Sequence, residues 1–366
     1  MSQDRECRAD VVPTVDAPCL SYLPRVPHSY KPAIALIGCG GIAPYHLRAY
    51  KRAGYTVSAL CDHTIAKASA LRDELFPDAA VFMDYRDILR RDLADVVDVA
   101  THPAQRVAII GDSLAAGKHV LSQKPFVLDL DDGARLADLA DANGVCLVVN
   151  QNGRWAPHFS YIREAVSTGL LGAVSSAQLA VHWDHNWTAD TVFNELRHLV
   201  LYDFAVHWFD IVACIFGESP AKQVFARAMR SPRQRAKPPL LADIIIEFET
   251  GLASISFNAD TRFGAHDQTI AAGSDGTIMS NGPDLNSQTV TLTTQQGRSS
   301  PVLQGDWFSN GFHGAMAELL CAIEEKREPC HSARNNLRTL ALCFAAIESA
   351  DSGRPVTPGV IRRIHV

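Results

Sequence analysis

No stretch of this 366-residue sequence stays apolar for the roughly 18 residues that a membrane-spanning helix needs, so no membrane span is expected. Cationic charge does not dominate either. The 34 Lys and Arg against 40 Asp and Glu leave a net charge of −6, which argues against a nucleic-acid surface. The opening residues, Met1-Ser2-Gln3-Asp4-Arg5-Glu6, are mixed in charge and lack the apolar segment of a secretory signal. The nine cysteines (Cys7, Cys19, Cys39, Cys61, Cys146, Cys214, Cys321, Cys330 and Cys343) include no C-x-x-C pair and are odd in number. Most lie in apolar stretches, where a thiol behaves as a small hydrophobe. That excludes a disulfide framework and a cysteine zinc site, and fits a reducing, cytoplasmic setting. Internal repeats and low-complexity tracts are lacking too. What is there is a 47% hydrophobic, 20% charged composition, enough for the cores of two domains.

The most specific local feature is the apolar run Ala33-Ile34-Ala35-Leu36-Ile37 leading into Gly38-Cys39-Gly40-Gly41-Ile42-Ala43. A strand that runs into G-x-G-x-x-A and then a helix is a dinucleotide-binding pattern. Gly38 permits the turn, Gly40 and Gly41 let the backbone come close to a pyrophosphate, and Ile42 leads into the helix. The unpaired N–H groups of that helix face the phosphates. A second strand, Thr56-Val57-Ser58-Ala59-Leu60-Cys61, ends at Asp62, placed to accept bonds from ribose hydroxyls. A carboxylate there repels a 2′-phosphate. NAD is therefore the expected cofactor, with His63 leaving room for NADP. An αβ turn with a surface aspartate and no ligand is the plainer alternative.

Residues 1–31, with Pro13, Pro18, Pro24 and Pro27, read as an extended or disordered arm. From 32 to 150, strands and helices alternate, which predicts a doubly wound parallel sheet of Rossmann type. From 151 to 366 the rhythm changes. Period-2 segments at 174–183, 223–229, 243–248, 253–258, 268–272 and 288–294 predict an open-faced, mostly antiparallel sheet. An apolar helix at 199–216 interrupts them, and helices at 312–326 and 333–352 close the chain. The fold class is thus α/β plus α+β.

Ligands of open parallel sheets bind beyond the carboxyl ends of the strands. Those ends deliver the glycine loop, Asp62, Thr101-His102-Pro103, Gln123-Lys124-Pro125 and Asn150-Gln151-Asn152. Lys124 is a cation at the cofactor edge, although a surface lysine in a loop would occupy the same place. Asp203 and His207, four apart on the predicted helix 199–216, share a face. They suit either a cavity for a hydroxylated ligand or a satisfied core pair. A zinc set from His182, Asp184, His185 and His207 fits no standard ligand spacing, so no metal is expected.

Three segments in order resemble the glucose–fructose oxidoreductase / inositol dehydrogenase (Gfo/Idh/MocA) family over nearly all of residues 33–358. Ala116-Gly117-Lys118-His119-Val120-Leu121-Ser122-Gln123-Lys124-Pro125 is similar to its A-G-K-H-V-L-x-E-K-P. The Asp203–His207 helix resembles its D-x-G-x-H-x-x-D, and Ser349 to Val356 resembles its closing S-A-x-x-G-R-x-V. The resemblance implies an NAD(P)-dependent oxidoreductase that moves hydride between nicotinamide and a carbinol carbon of a sugar, polyol or inositol-like substrate. Lys124, Asp203 and His207 would be catalytic, with Lys124 and His207 both candidates for the proton acceptor. Thr101, Pro103 and Gln123 would line the cofactor, and Asn152, Arg154 and Trp155 the substrate pocket. It also implies a homodimer or homotetramer.

The departures are Gln123 for the family's glutamate, Gly153 and Trp155 in its N-R-R-F segment, and Arg197-His198-Leu199 where many relatives carry glycines. Arg197 suggests a substrate carboxylate as partner. An enzyme that holds and recycles NAD, or a non-catalytic NAD-binding regulator, stays open beside the dehydrogenase.

Overall fold

The structure is a computed structural model that describes residues 12–365, so residues 1–11 of the expected arm lie outside it. Residues 12–31 form neither helix nor strand and lie along the later part of their own chain. Arg298 donates its N–H to the Pro13 carbonyl, and Val15 donates to the Arg298 carbonyl. The Tyr161 hydroxyl donates to the Pro18 carbonyl.

The first half alternates as β1 (Ala33–Ile37), α1 (Ala43–Ala53), β2 (Thr56–Cys61), α2 (Ile65–Leu75), β3 (Ala80–Phe82), α3 (Tyr85–Arg90), β4 (Val96–Val99), α4 (Pro103–Ala115), β5 (His119–Gln123), α5 (Leu130–Ala142) and β6 (Leu147–Asn150). The six strands form one sheet in the order β3-β2-β1-β4-β5-β6, and every pair is parallel. Helices cover both faces, so β4 and β6 are buried along their whole length. The strand order reverses between β1 and β4, which opens a crevice at their carboxyl ends.

A 3₁₀ turn at Asn152–Trp155 leads to α6 (Pro157–Ser167) and β7 (Val174–His182). A π turn at Val200–Phe204 precedes α7 (Val206–Phe216). Then come β8 (Ala221–Met229), β9 (Leu241–Phe248), β10 (Leu252–Asn258), β11 (His266–Gly273), β12 (Gly276–Gly282), β13 (Thr289–Thr294), β14 (Gly297–Ser299), α8 (Trp307–Glu325) and α9 (Ala333–Ser352). The second sheet runs β14-β13-β12-β11-β7-β10-β9-β8. It is mostly antiparallel; the β7–β10 pair is parallel.

Alternation is clean in β9, where Ala242, Ile244, Ile246 and Phe248 face inward and are buried. Helices α7 and α9 pack against that side of the sheet. Strand β12 carries only Ile278 and Met279 as apolar residues between Ser, Thr, Asn and Gly, and its pattern is too weak to read from sequence; pairing with β11 makes it a strand. The predicted continuous helix 199–216 is broken by the π turn. Helix α8 joins the halves: Ala315, Met316, Leu319 and Leu320 share a core cluster with β1, β2 and α1. Among the described residues, no helix is long and apolar enough to cross a membrane.

Candidate functional site

Gly38 sits at φ +100°, and a Cβ there would lie 2.9 Å from both the Ala100 carbonyl carbon and Thr101 Cγ2. The turn therefore demands glycine on conformation and on space. At Gly40 and Gly41 a Cβ would meet nothing within 4 Å, so the loop backbone faces open space. Helix α1 begins at Ile42 without a side-chain cap and has no acidic residue in its first turn. Its first N–H groups are already used, Ala43 by the Gly40 carbonyl and Tyr45 by the Ile42 carbonyl, and Pro44 between them has none, so the open backbone is that of the glycine loop itself. Asp62 stands at the end of β2, 7% exposed. Its carboxylate accepts from the Cys39 N–H at 2.9 Å and the Thr64 N–H at 2.8 Å. The acid thus holds the glycine loop in place at the edge where a ribose would lie.

Across the switch point, Thr101 packs on Gly38, and Pro103 starts α4. Arg106, one turn into α4 and fully buried, donates to the carbonyls of Thr101, Gln123 and Pro125. Burial pulls its guanidinium down to about 10. The ends of β4 and β5 are tied together by this one side chain. Sequence reading passed over Arg106, because nothing local marks a helix arginine as buried.

Gln123 is held by a chain of buried groups. Its Oε1 accepts from the Lys124 N–H at 3.1 Å and from Asn150 Nδ2 at 2.9 Å. Asn150 Nδ2 also lies 3.3 Å from His46 Nε2, and His46 Nδ1 lies 2.7 Å from Asp98 Oδ2. A proton on Nδ1 and a lone pair on Nε2 satisfy both contacts. From this base Lys124 extends across the crevice to the second domain. Its Nζ donates to the Asp203 carbonyl at 2.9 Å and lies 3.3 Å from Asp203 Oδ2.

Asp203 sits in the π turn and His207 in the first turn of α7. Burial, and then the nearby Lys124 ammonium, push the His207 imidazole well below its usual value. Its Nδ1 is buried with no hydrogen-bond partner. Trp307, the first residue of α8, meets the imidazole edge-on at 5.7 Å. Its backbone N–H donates to Asn286 Oδ1 at 2.9 Å. A Cβ on Gly153 would come within 3.0 Å of the Trp307 ring, so the glycine at this place makes room for the tryptophan.

The structure brings Lys124, Asp203, His207 and Gln123 together, and it moves others away. Arg154 is fully committed inside the second domain: Nε and a terminal nitrogen clamp Asp210 at 2.6 and 2.7 Å, and the remaining bonds go to the Cys330 carbonyl and Asn335. It is a buried structural arginine and not a pocket residue. Trp155 lies edge-on to His331, in contact with Gly314 of α8. Asn152 is buried, with its backbone carbonyl and Cβ close to Gly311 of the same helix. Arg197 has a 69% exposed side chain and pairs with Asp351 at 2.9 Å.

Among the described residues, Glu318, Cys330 and His331 bring one set of metal-type ligand atoms together. The Glu318 carboxylate there is taken by Arg327 and the Cys330 N–H, and His331 Nε2 by the Ala315 carbonyl.

Residues 33–151 match the model of an oxidoreductase family with an NAD-binding Rossmann fold, and residues 159–279 match a GFO/IDH/MocA C-terminal domain. A D-apiose dehydrogenase of Paraburkholderia graminis is 26% identical over 344 residues, 88% of either chain. An inositol 2-dehydrogenase of Rhizobium meliloti is 24% identical, covering 88% of this chain and 98% of its own. Among solved structures, an oxidoreductase from Agrobacterium radiobacter in complex with NAD+, L-tartaric acid and magnesium superposes with a TM-score of 0.80 at 22% identity, over 90% of this chain and 99% of that one. A levoglucosan dehydrogenase in complex with NADH and levoglucosan gives 0.77 at 18% identity, over 90% and 100%.

Proposed function

The chain belongs to the Gfo/Idh/MocA oxidoreductase family, and we propose that it transfers hydride between NAD and a carbinol carbon of a sugar- or polyol-type substrate, with Lys124 exchanging the hydroxyl proton. The supporting observation is the Lys124–Asp203 contact, 2.9 Å to the carbonyl and 3.3 Å to Oδ2, at the carboxyl edge of β5.

The residues present fit the dinucleotide. Open space over Gly40 and Gly41 suits a pyrophosphate, and Asp62 suits the ribose hydroxyls. NAD is favoured because the carboxylate of Asp62 repels a 2′-phosphate; the exposed His63 beside it leaves room for NADP. Gly38 and Ile42 shape the loop, and Thr101, Pro103 and Gln123 form the facing wall. When bound, the nicotinamide supplies the hydride acceptor or donor.

Lys124 is held by the Asp203 backbone carbonyl and by Asp203 Oδ2, so its Nζ has a fixed direction. In carbonyl reduction its ammonium gives a proton to the carbonyl oxygen, and in alcohol oxidation its amine takes that proton back. His207 stays neutral and orients the hydroxyl through a hydrogen bond. The same reading carries a homo-oligomer joined through the outer face of the second sheet, where Met229, Ile245 and Leu252 are exposed.

The test is Lys124→Ala, assayed with D-apiose, myo-inositol and a panel of aldoses. Loss of a positioned acid/base is expected to lower kcat about 10²- to 10⁴-fold. NAD affinity, measured by titration calorimetry, should hold within about twofold, as the lysine makes no contact with the pyrophosphate loop. A near-normal kcat would overturn the role of Lys124.

A further inference from the structure

Helix α9 carries a stripe of hydrogen-bonding side chains toward the elements that hold the site. Asn335, Thr339 and Cys343 are spaced by four, so they lie one above another on a single face. Each takes a different partner. Asn335 Oδ1 accepts from Arg154 at 2.7 Å, and the Thr339 hydroxyl donates to Asp210 Oδ1 at 3.0 Å. The Cys343 thiol donates to the Leu201 carbonyl at 3.2 Å. The first two contacts join the Arg154–Asp210 pair, which ties the 3₁₀ turn after β6 to α7. The third reaches the π turn from which Asp203 meets Lys124.

The Leu201 carbonyl is the one that the extra residue of that turn takes out of the α-helical ladder. In an α-helix it would accept from the Ala205 N–H. Here that N–H donates to the Val200 carbonyl at 2.7 Å. Leu201 is 1% exposed, so water does not replace the lost partner. Cys343, itself fully buried, supplies the donor instead. Burial, and then the nearby Asp203 charge, push its thiol up, so it keeps the S–H that it donates.

We infer that Cys343 is a positioning residue for the Lys124–Asp203 contact: its S–H, seated on the Leu201 carbonyl, holds the turn in π phase. The inference rests on the oxidoreductase reading above and adds to it a residue of α9 that acts only through the turn. Two phases compete for one carbonyl. In π phase Cys343 satisfies Leu201, and the Asp203 carbonyl is left for Lys124 Nζ. In α phase the Ala205 N–H returns to Leu201, and the Asp203 carbonyl turns to the His207 N–H and away from the lysine. Without the thiol, the π phase carries a buried carbonyl with no partner, and the balance moves toward the α phase.

Three variants of the full-length protein separate positioning from plain stabilisation. Cys343→Ala removes the donor, Cys343→Ser keeps one, and Thr339→Val removes the neighbouring rung, whose bond does not reach the turn. Each is assayed with NAD and the best wild-type substrate among D-apiose, myo-inositol and a panel of aldoses. NAD affinity is measured by titration calorimetry and stability by urea unfolding. Cys343→Ala should lower kcat about threefold to tenfold, the order of effect of one hydrogen bond, with NAD affinity held within about twofold. Cys343→Ser should restore kcat to within about twofold of wild type, and Thr339→Val should lower stability while leaving kcat in that same range. In the infrared, the difference spectrum of wild type against Cys343→Ser should hold an S–H band on the low-frequency side of a free thiol's.

A band at the free-thiol position, a kcat that Cys343→Ala leaves unchanged, or an equal loss of kcat in all three variants overturns the positioning role and leaves the oxidoreductase standing. No NADH from wild type with any compound overturns the oxidoreductase reading, and the role given to Cys343 with it.

Discussion

Asp267 shows how far burial can move a single residue from its ordinary chemistry. It lies on the inner face of β11 with no exposure, and neither carboxylate oxygen has a hydrogen-bond partner. Thr269, two residues on, and Ser280, opposite Thr269 on β12, also have unpaired buried hydroxyls. Burial, and to a lesser degree Asp284, push the Asp267 carboxyl up to about 8. The folded chain therefore keeps a proton that the unfolded chain releases above its ordinary value of 3.8. Stability must fall as pH rises between those two values, at up to roughly 1.4 kcal/mol per pH unit. Urea unfolding at pH 5 and pH 7.5 should show this loss in the wild type, and Asp267→Asn should remove it. An equal slope in both proteins would show that Asp267 is charged in the fold. Arg154 carries the complementary lesson: its position after β6 pointed to the pocket, yet Asp210, Asn335 and the Cys330 carbonyl consume its donors.

At the scale of elements, the π turn at Val200–Phe204 decides where Asp203 points. The Ala205 N–H donates to the Val200 carbonyl at 2.7 Å, one residue further back than in an α-helix. An uninterrupted helix would direct the Asp203 carbonyl to the His207 N–H, whereas here Lys124 Nζ bonds that carbonyl. Deleting one residue of the turn, such as Leu201, should restore α-helical phase and rotate the preceding segment by about 100°. The expected result is a kcat lowered about 100-fold or more, with NAD binding and far-UV circular dichroism retained. Normal kcat in the deletion variant would show that the π turn is dispensable. The apolar periodicity of 199–216 marked a helix correctly but could not show the extra residue, because one inserted position shifts the pattern by less than the width of the apolar face.

Across the whole molecule, residues 12–31 fasten distant parts of the chain. The Glu324 carboxylate near the end of α8 accepts from the N–H groups of His28, Ser29 and Tyr30 and from the Ser29 hydroxyl. These bonds, led by the Ser29 hydroxyl, hold its carboxyl down at about 2. Arg25 pairs with the neighbouring Glu325. Glu324→Ala should release this clasp, so that trypsin cuts after Arg25 faster while the remainder of the chain stays resistant. Unchanged cleavage would show that the contacts with Tyr161 and Arg298 suffice. Helix α8 then acts at both ends: its last turn holds the arm, and its first residue, Trp307, closes over His207.

Local pattern by itself determined the alternation of strands and helices, the glycine loop with Asp62 behind it, the alternating second sheet, and the presence of Lys124 at a strand end. Each of these is written within a few consecutive residues, where period, glycine and charge are direct physical signals. Tertiary structure alone decided which polar residues share the crevice. It drew Arg154 and Trp155 into other contacts, supplied Arg106 and Trp307, and assembled Trp183, His185, Phe204 and Trp208 into one wall. Those residues meet through packing of separate elements, and a side chain's partners across such distances are set by the space and donors left over, which no local periodicity records.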